Sequence, residues 1–358
     1  MKIIIVTIYD PKPNYGNRLQ NYAVQAVFEK MGASTLTLSS ERLSYREMIN
    51  IATNYIFIKN DRKDKQLYGK RIKSFNKFNK KYINTQKINS LSDIEDADYF
   101  VIGSDQVWNA EWYRDDSITK ELYLLTFTTP EKKICFSPSF GIEKLPSKWV
   151  PWFKKNLNQF NNISVREDAG AKIVKELTGR SATVLIDPTM MLDASEWSKI
   201  AEKPKNVDSD VPYILSYFLG GRSERVNNDL QKYAKENNMK VYNLLDYTQP
   251  DMAIINPSEF IYMINHAKLV LTDSFHACVF SFLFKIPFLV YPRQGSKVSM
   301  MSRIDTLLSK FKLERKYIYS GKKNEIFECN YEEGFAQLKI ERNKVIDYLK
   351  GEMFKHEN

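Results

Sequence analysis

The sequence is short of cysteine and histidine. Its 358 residues hold three cysteines, Cys135, Cys278 and Cys329, far apart and with no CxxC pair. That spacing excludes a disulfide framework, and three scattered histidines leave no pattern for a zinc site. Cys135 and Cys278 sit in apolar stretches, so reduced, buried thiols of a reducing compartment are expected. No apolar run approaches the ~20 residues of a membrane span. The opening "MKIIIVTIYD" has only about seven apolar residues, too few for a signal peptide, and reads as a first strand. The expected location is the cytoplasm, with any membrane contact peripheral and at the inner face. There is no repeat at solenoid periods, no GxGxxG and no Walker loop.

What is present is enough for a large core: 43% of the chain is hydrophobic and 13% of the chain is aromatic. The net charge of +10 suits anionic partners, although it serves a solvated surface equally well. Strand and helix signals alternate. "KIIIVTIY" (2–9), "STLTLSS" (34–40), Tyr99–Ile102, "KKICFSPS" (132–139), "NISVRE" (162–167) and "ATVLIDPTMML" (182–192) read as strands. "GNRLQNYAVQAVFEKMG" (16–32) and "DAGAKIVKELTG" (168–179) read as helices, the first ending at Gly32, the second capped by Asp168. That alternation predicts βαβ units and parallel sheets. After the polar stretch 192–212 it restarts, with strands at 213–221, 239–245, 267–271 and 285–292 between helices at 222–238, 258–267 and from 277.

The expected division is therefore a Rossmann-like domain at 1–191, a second at 192–329, and a terminal amphipathic helix at 330–358 returning to the first. The first would carry a basic helical insertion at about 41–90. Within it, "KNDRKDKQLYGKRIKSFNKFNKKY" (59–82) sets ten Lys or Arg against two Asp, with Leu67, Ile72, Phe75 and Phe78 along one face. It reads as a solvated helix face, or as a dock for anionic lipid headgroups. No nucleic-acid module accompanies it. Two domains of this kind leave a cleft, the usual place for a ligand.

In parallel sheets ligands bind beyond the C-terminal ends of strands. Five loops there stand out. Asn14, Gly16 and Asn17 of "YDPKPNYGNRLQ" tolerate positive-φ turns before a helix N-terminus that favours an anion, or form an ordinary turn. "VIGSDQVWN" offers Ser104, Asp105 and Gln106 for sugar hydroxyls and Trp108 for a ring face, unless Asp105 is a cap. Arg166 of "SVRED" presents a fork for carboxylate or phosphate, or pairs with an acid. In "TDSFHA", Asp273 or Ser274 caps a helix whose first turn carries His276, a structural residue or a site. "RQGSKVSMMSRID" brings Arg293, Lys297 and Arg303, cations that close over a phosphate or are merely solvated.

In this order, "NYGNRLQNYAVQ", "VIGSDQVWN", "SVRED", "DPTMML", "TDSFHACVFSFLFKIP" and "KVSMMSRID" make the chain resemble the polysaccharide pyruvyl transferase family over residues 1–310. The resemblance implies a GT-B-like fold, two Rossmann-like domains facing a cleft. It implies transfer of the pyruvyl group of phosphoenolpyruvate to a sugar of a bacterial-type surface polysaccharide or its lipid-linked precursor, making a ketal. Arg166 and His276 match positions that bind phosphoenolpyruvate; Lys297 and Arg303 match more loosely. Ala277 departs from a frequent glycine. The expected chemistry uses no metal or cofactor: His276 as acid or phosphate partner and Asp105 as base. A nucleotide-sugar glycosyltransferase of the same architecture and a non-catalytic glycan-binding protein are the competing readings.

Overall fold

The computed structural model describes residues 1–9, 12–40, 62–113, 118–208, 210–295, 301–313 and 326–353. The chain divides into two compact units. The first comprises Met1–Phe57, Asn79–Met191 and Lys339–Asn358; the second comprises Ile58–Phe78 and Leu192–Leu338.

The first unit is built on β1 (Lys2–Val6), β2 (Ser34–Ser40), β3 (Thr85–Ile88), β4 (Tyr99–Ile102) and β5 (Lys133–Cys135). They form one sheet in the order β3-β2-β1-β4-β5, every pair parallel. Ile3, Ile4 and Ile5 of β1 are all fully buried, so both faces of the central strand are covered, as parallel sheets require. Helix α1 (Tyr15–Lys30) makes the first crossover. Asn14 caps it, accepting from the Asn17 N–H at 3.2 Å, and Gly32 follows its end at φ +84°. Glycine takes that left-handed conformation without strain. Beyond β5, β6 (Ser164–Val165) and β7 (Thr183–Val184) form a small parallel pair.

The second unit carries β8 (Tyr213–Tyr217), β9 (Lys240–Leu244), β10 (Leu269–Thr272) and β11 (Phe288–Val290), in the order β11-β10-β8-β9, again all parallel. The molecule is thus α/β, with two Rossmann-like units.

Several expected boundaries move. Strands forecast at 132–139, 162–167 and 182–192 shrink to three, two and two residues, because their later positions bend into site loops. Glu167, not Asp168, is the residue before helix Asp168–Thr178. The basic stretch does form a helix, α2 (Arg62–Tyr82), but residues up to Phe78 cluster with the second unit. Arg71 explains why: its Nη1 donates to the carbonyls of Ala253 at 3.1 Å and Ile255 at 3.4 Å, while Ser74 Oγ donates to Ile254 at 2.9 Å. The end of the expected insertion is strand β3, an edge of the main sheet. In the terminal helix Glu332–Met353, Arg342 Nε donates to the Met190 carbonyl at 2.7 Å and Lys344 Nζ to Val184 at 3.0 Å.

Cys135 and Cys278 are fully buried, and burial pushes both thiols well above their usual range. Cys329 is only half-buried. Titration of the native protein with a thiol-reactive chromophore should therefore label one cysteine rapidly, Cys329. The other two should react only with unfolding.

Candidate active site

Each of the two larger sheets reverses its strand order once, and ligands of parallel sheets bind where the loops part at that point. In the first unit the reversal is at β1, with β2 on one side and β4 on the other. Thr7 follows β1. Its hydroxyl donates to the Ser104 carbonyl at 3.2 Å and accepts from Gln20 Nε2 at 2.6 Å. Gly103 leaves room for this contact, since a Cβ there would crowd Thr7 Cβ at 3.1 Å.

The loop after β4 then folds against the loop after β5. Asp105 (φ 64°) and Ser137 (φ 55°) both occupy the left-handed region, which side-chain-bearing residues seldom adopt. The Ser139 N–H donates to the Asp105 carbonyl at 2.8 Å, and the Trp108 N–H donates to the Ser139 carbonyl at 3.1 Å.

Arg166 enters this cluster from the end of β6. Its side chain is 1% exposed, and Nη1 donates to Asp187 Oδ2 at 2.5 Å. Nη2 reaches Asp105 Oδ1 at 3.3 Å, and Nη1 reaches Ser104 Oγ at 3.5 Å. Ser104 Oγ stands 2.8 Å from the Ser137 carbonyl and 3.0 Å from Asp187 Oδ2, acceptors that share its single proton. Asp187 Oδ1 accepts from Thr189 N at 2.9 Å and Thr189 Oγ1 at 2.6 Å. Glu167 Oε1 accepts from the N–H groups of Phe140 at 2.9 Å and Gly141 at 3.3 Å. Burial pulls the guanidinium's pKa down, but the charges of Asp187, Asp105 and Glu167 outweigh it and the net shift is upward.

This geometry corrects four expectations. The Arg166 fork is engaged by carboxylates, so in this structure it holds the cluster together and does not present itself to an anion. Trp108 is fully buried. Its indole N–H donates to the Tyr123 carbonyl at 2.8 Å, and its rings pack on Phe140 and Phe160, so no face is left for a sugar. Gln106 is also buried, its Oε1 accepting from Asn109 Nδ2 at 3.0 Å. Asn14, Gly16 and Asn17 make no positive-φ turn: Asn14 is extended at φ −133°, and the other two lie in the first turn of α1. Of the two acids on Arg166, Asp105 keeps 9% exposure and Asp187 none, so Asp105 is the one that reaches solvent.

In the second unit the order reverses at β8, between β9 and β10. Asp273, one residue past β10, closes that point. Its Oδ1 accepts from Leu219 N at 2.8 Å and its Oδ2 from Gly220 N at 2.9 Å, both from the loop after β8. Arg293, past β11, donates Nε to Asp273 Oδ2 at 3.2 Å and Nη2 to the Asp273 carbonyl at 3.0 Å. With its side chain wholly enclosed, Asp273 is a brace and offers nothing to a substrate. Ser274 is the N-cap of helix Phe275–Leu283, its hydroxyl accepting from Ala277 N at 3.5 Å. His276 stands in that first turn, 7% exposed, with its ring edge-on to Phe275. Arg303 does not sit in a loop: it is 5% exposed in the first turn of helix Ser302–Lys310. Lys297 lies outside the described residues.

Asp187 was not singled out by role, and Arg293, expected as a cation closing over a phosphate, is instead bonded to Asp273. Both satisfy the rule that pointed to their neighbours, a polar residue just past a parallel strand or its extension. A cavity of about 670 Å³ in the second unit, lined by Lys63, Gln66, Tyr247 and Thr248 among others, contains none of the expected site residues. Among the described residues, no group of three or more His, Cys, Asp and Glu side chains is placed to hold a metal ion.

Two substitutions test these braces. Asp187→Ala leaves Arg166 buried with its shortest partner gone and should cost about 3–5 kcal/mol in denaturant unfolding, whereas Asp105→Ala should cost less. At Gly220 a Cβ would lie 2.4 Å from Arg293 Cγ and 2.4 Å from the Gln294 carbonyl. Gly220→Ala should therefore destabilise by ~1–3 kcal/mol, read as a lowered melting temperature.

No curated protein matches the sequence. Solved structures of similar shape include a glycosyltransferase from Rickettsia africae, 10% identical, covering 99% of each chain at a TM-score of 0.47. Another is the UDP-GlcNAc 2-epimerase from Neisseria meningitidis, 11% identical, covering 98% of this chain and 99% of that one at 0.44. The family model for polysaccharide pyruvyl transferase matches residues 14–295, a span that takes in Asp105, Arg166, Asp187, Asp273 and His276. The chain belongs to the polysaccharide pyruvyl transferase family.

Proposed function

We propose that the protein moves the pyruvyl group of phosphoenolpyruvate onto two hydroxyls of one sugar, in a surface polysaccharide or its lipid-linked precursor. Family membership supports a transferase acting on a polysaccharide. The observation that carries the finer reading is the position of His276, in the first helical turn at the second unit's strand reversal.

Phosphoenolpyruvate brings a carboxylate and a phosphate. The first turn of helix Phe275–Leu283 points N–H groups and the positive end of the helix dipole toward such an anion. His276 delivers a proton to C3 of the enol, turning the methylene into a methyl group and leaving an oxocarbenium-like centre at C2. A sugar hydroxyl adds to C2 and gives up its proton to a base. Loss of phosphate regenerates the cationic centre. A second hydroxyl of the same sugar then closes the ketal. Two hydroxyl protons leave and one arrives at C3, so phosphate departs carrying the balance. No cofactor enters this scheme.

His276→Ala should lower phosphate release from phosphoenolpyruvate with a sugar acceptor by about 10²–10⁴-fold while leaving the melting temperature near the wild-type value. Near-normal release would remove His276 from the chemistry. Thermal-shift measurements separate the competing reading. Stabilisation by phosphoenolpyruvate and not by a nucleoside diphosphate is expected; the reverse would assign a nucleotide-sugar transferase.

A further inference from the structure

Helix α2 concentrates the chain's charge. Its 21 residues hold nine Lys or Arg and one Asp, eight of the ten net positive charges of the whole protein. The rest of the chain is close to neutral, so the charge is a local device and not a general solubilising coat.

The helix is held firmly and from one side. Arg71, Phe75 and Phe78 are buried, Arg71 and Ser74 are bonded to the carbonyls of residues 253–255, and the Arg71 guanidinium lies 4.8 Å from the Phe75 ring centroid. Lys63, Lys70, Lys73 and Lys77 are all exposed. At helical spacing they fall within a stripe about 80° wide and about 21 Å long. Lys70, Lys73 and Lys77 make no ion pair among the described residues. The helix's one acid, Asp64, falls about 100° round from Lys63, off the stripe.

From this face we infer that α2 docks the protein on the surface of an anionic lipid bilayer, an interaction beyond the reaction proposed above. The stripe is straight, rigidly mounted and made of ammonium point charges, which suits a plane of phosphate headgroups. It has no exposed aromatic residue for stacking on bases. No large apolar side chain stands exposed on α2 to anchor a protein interface. No helix of the described residues is long and apolar enough to cross a membrane, and α2 has no exposed apolar wedge to insert. The binding is therefore electrostatic and superficial.

The test is co-sedimentation of the full chain with vesicles. Mixed phosphatidylglycerol–phosphatidylcholine vesicles should bind it at low salt, and release it at high salt. Phosphatidylcholine alone should not bind. Each lysine near an anionic surface contributes about fivefold in partitioning, so Lys70→Gln, Lys73→Gln and Lys77→Gln together should weaken binding roughly 100-fold. Replacing three exposed lysines elsewhere, Lys172, Lys199 and Lys235, by Gln should leave it near the wild-type value. The melting temperature and phosphoenolpyruvate-induced shift of the α2 variant, compared with wild type, separate a docking defect from misfolding. Failure to bind anionic vesicles, equal loss in both triple variants, or tighter binding to duplex DNA than to vesicles at matched phosphate concentration would overturn the inference.

Discussion

A buried cation between two acids organises the first unit. Arg166 gathers Asp187, Asp105 and Ser104, residues from two separate loops. A lone guanidinium in that place would be prohibitive, and so would a lone Asp187; each is tolerable only because the other is there. The pair therefore ties the end of β6 to the loops after β4 and β7 with directional bonds. It also holds Asp105 and Ser137 in left-handed backbone conformations that the local sequence would not choose.

The second unit solves a similar problem with one carboxylate. Asp273 takes two backbone N–H groups from the loop after β8 and the Arg293 side chain from beyond β11. Three strand ends are thereby locked at the reversal of strand order. The adjoining Ser274 can then cap its helix and fix His276 in the first turn. In both units the charged residues nearest the strand ends turn out to be scaffolding. What they position, Asp105 in one and His276 in the other, retains contact with solvent.

Much of the fold was legible because parallel strands buried on both faces leave continuous apolar runs. The strands at 34–40 and 99–102 were found with their ends in place. Strand β3 was not, because an edge strand buries only one side: "TQKI" shows Ile88 buried and Thr85 and Lys87 exposed, and it follows a lysine-rich helix. The short strands near β6 and β7 were overextended for a related reason. Their apolar runs continue into loops such as Leu185–Ile186, which are fully or nearly fully buried without being strand. At the site, residue type and strand-end position pointed to the right loops. They did not show which way a side chain faces, so Trp108 was read as open and is enclosed.

The family's motif order, the α/β alternation, the single helix that carries most of the net charge and the strand-end location of Asp105, Arg166 and His276 were all present in the linear chain. These follow from local pattern: period, turn residues and composition. Only the tertiary structure decided that Arg166 meets Asp187 and Asp105, that Arg303 is buried, and that residues up to Phe78 of the basic helix pack with the second unit. Ion pairing and burial depend on partners tens of residues away. Nothing in the neighbouring sequence encodes which carboxylate a buried cation will find.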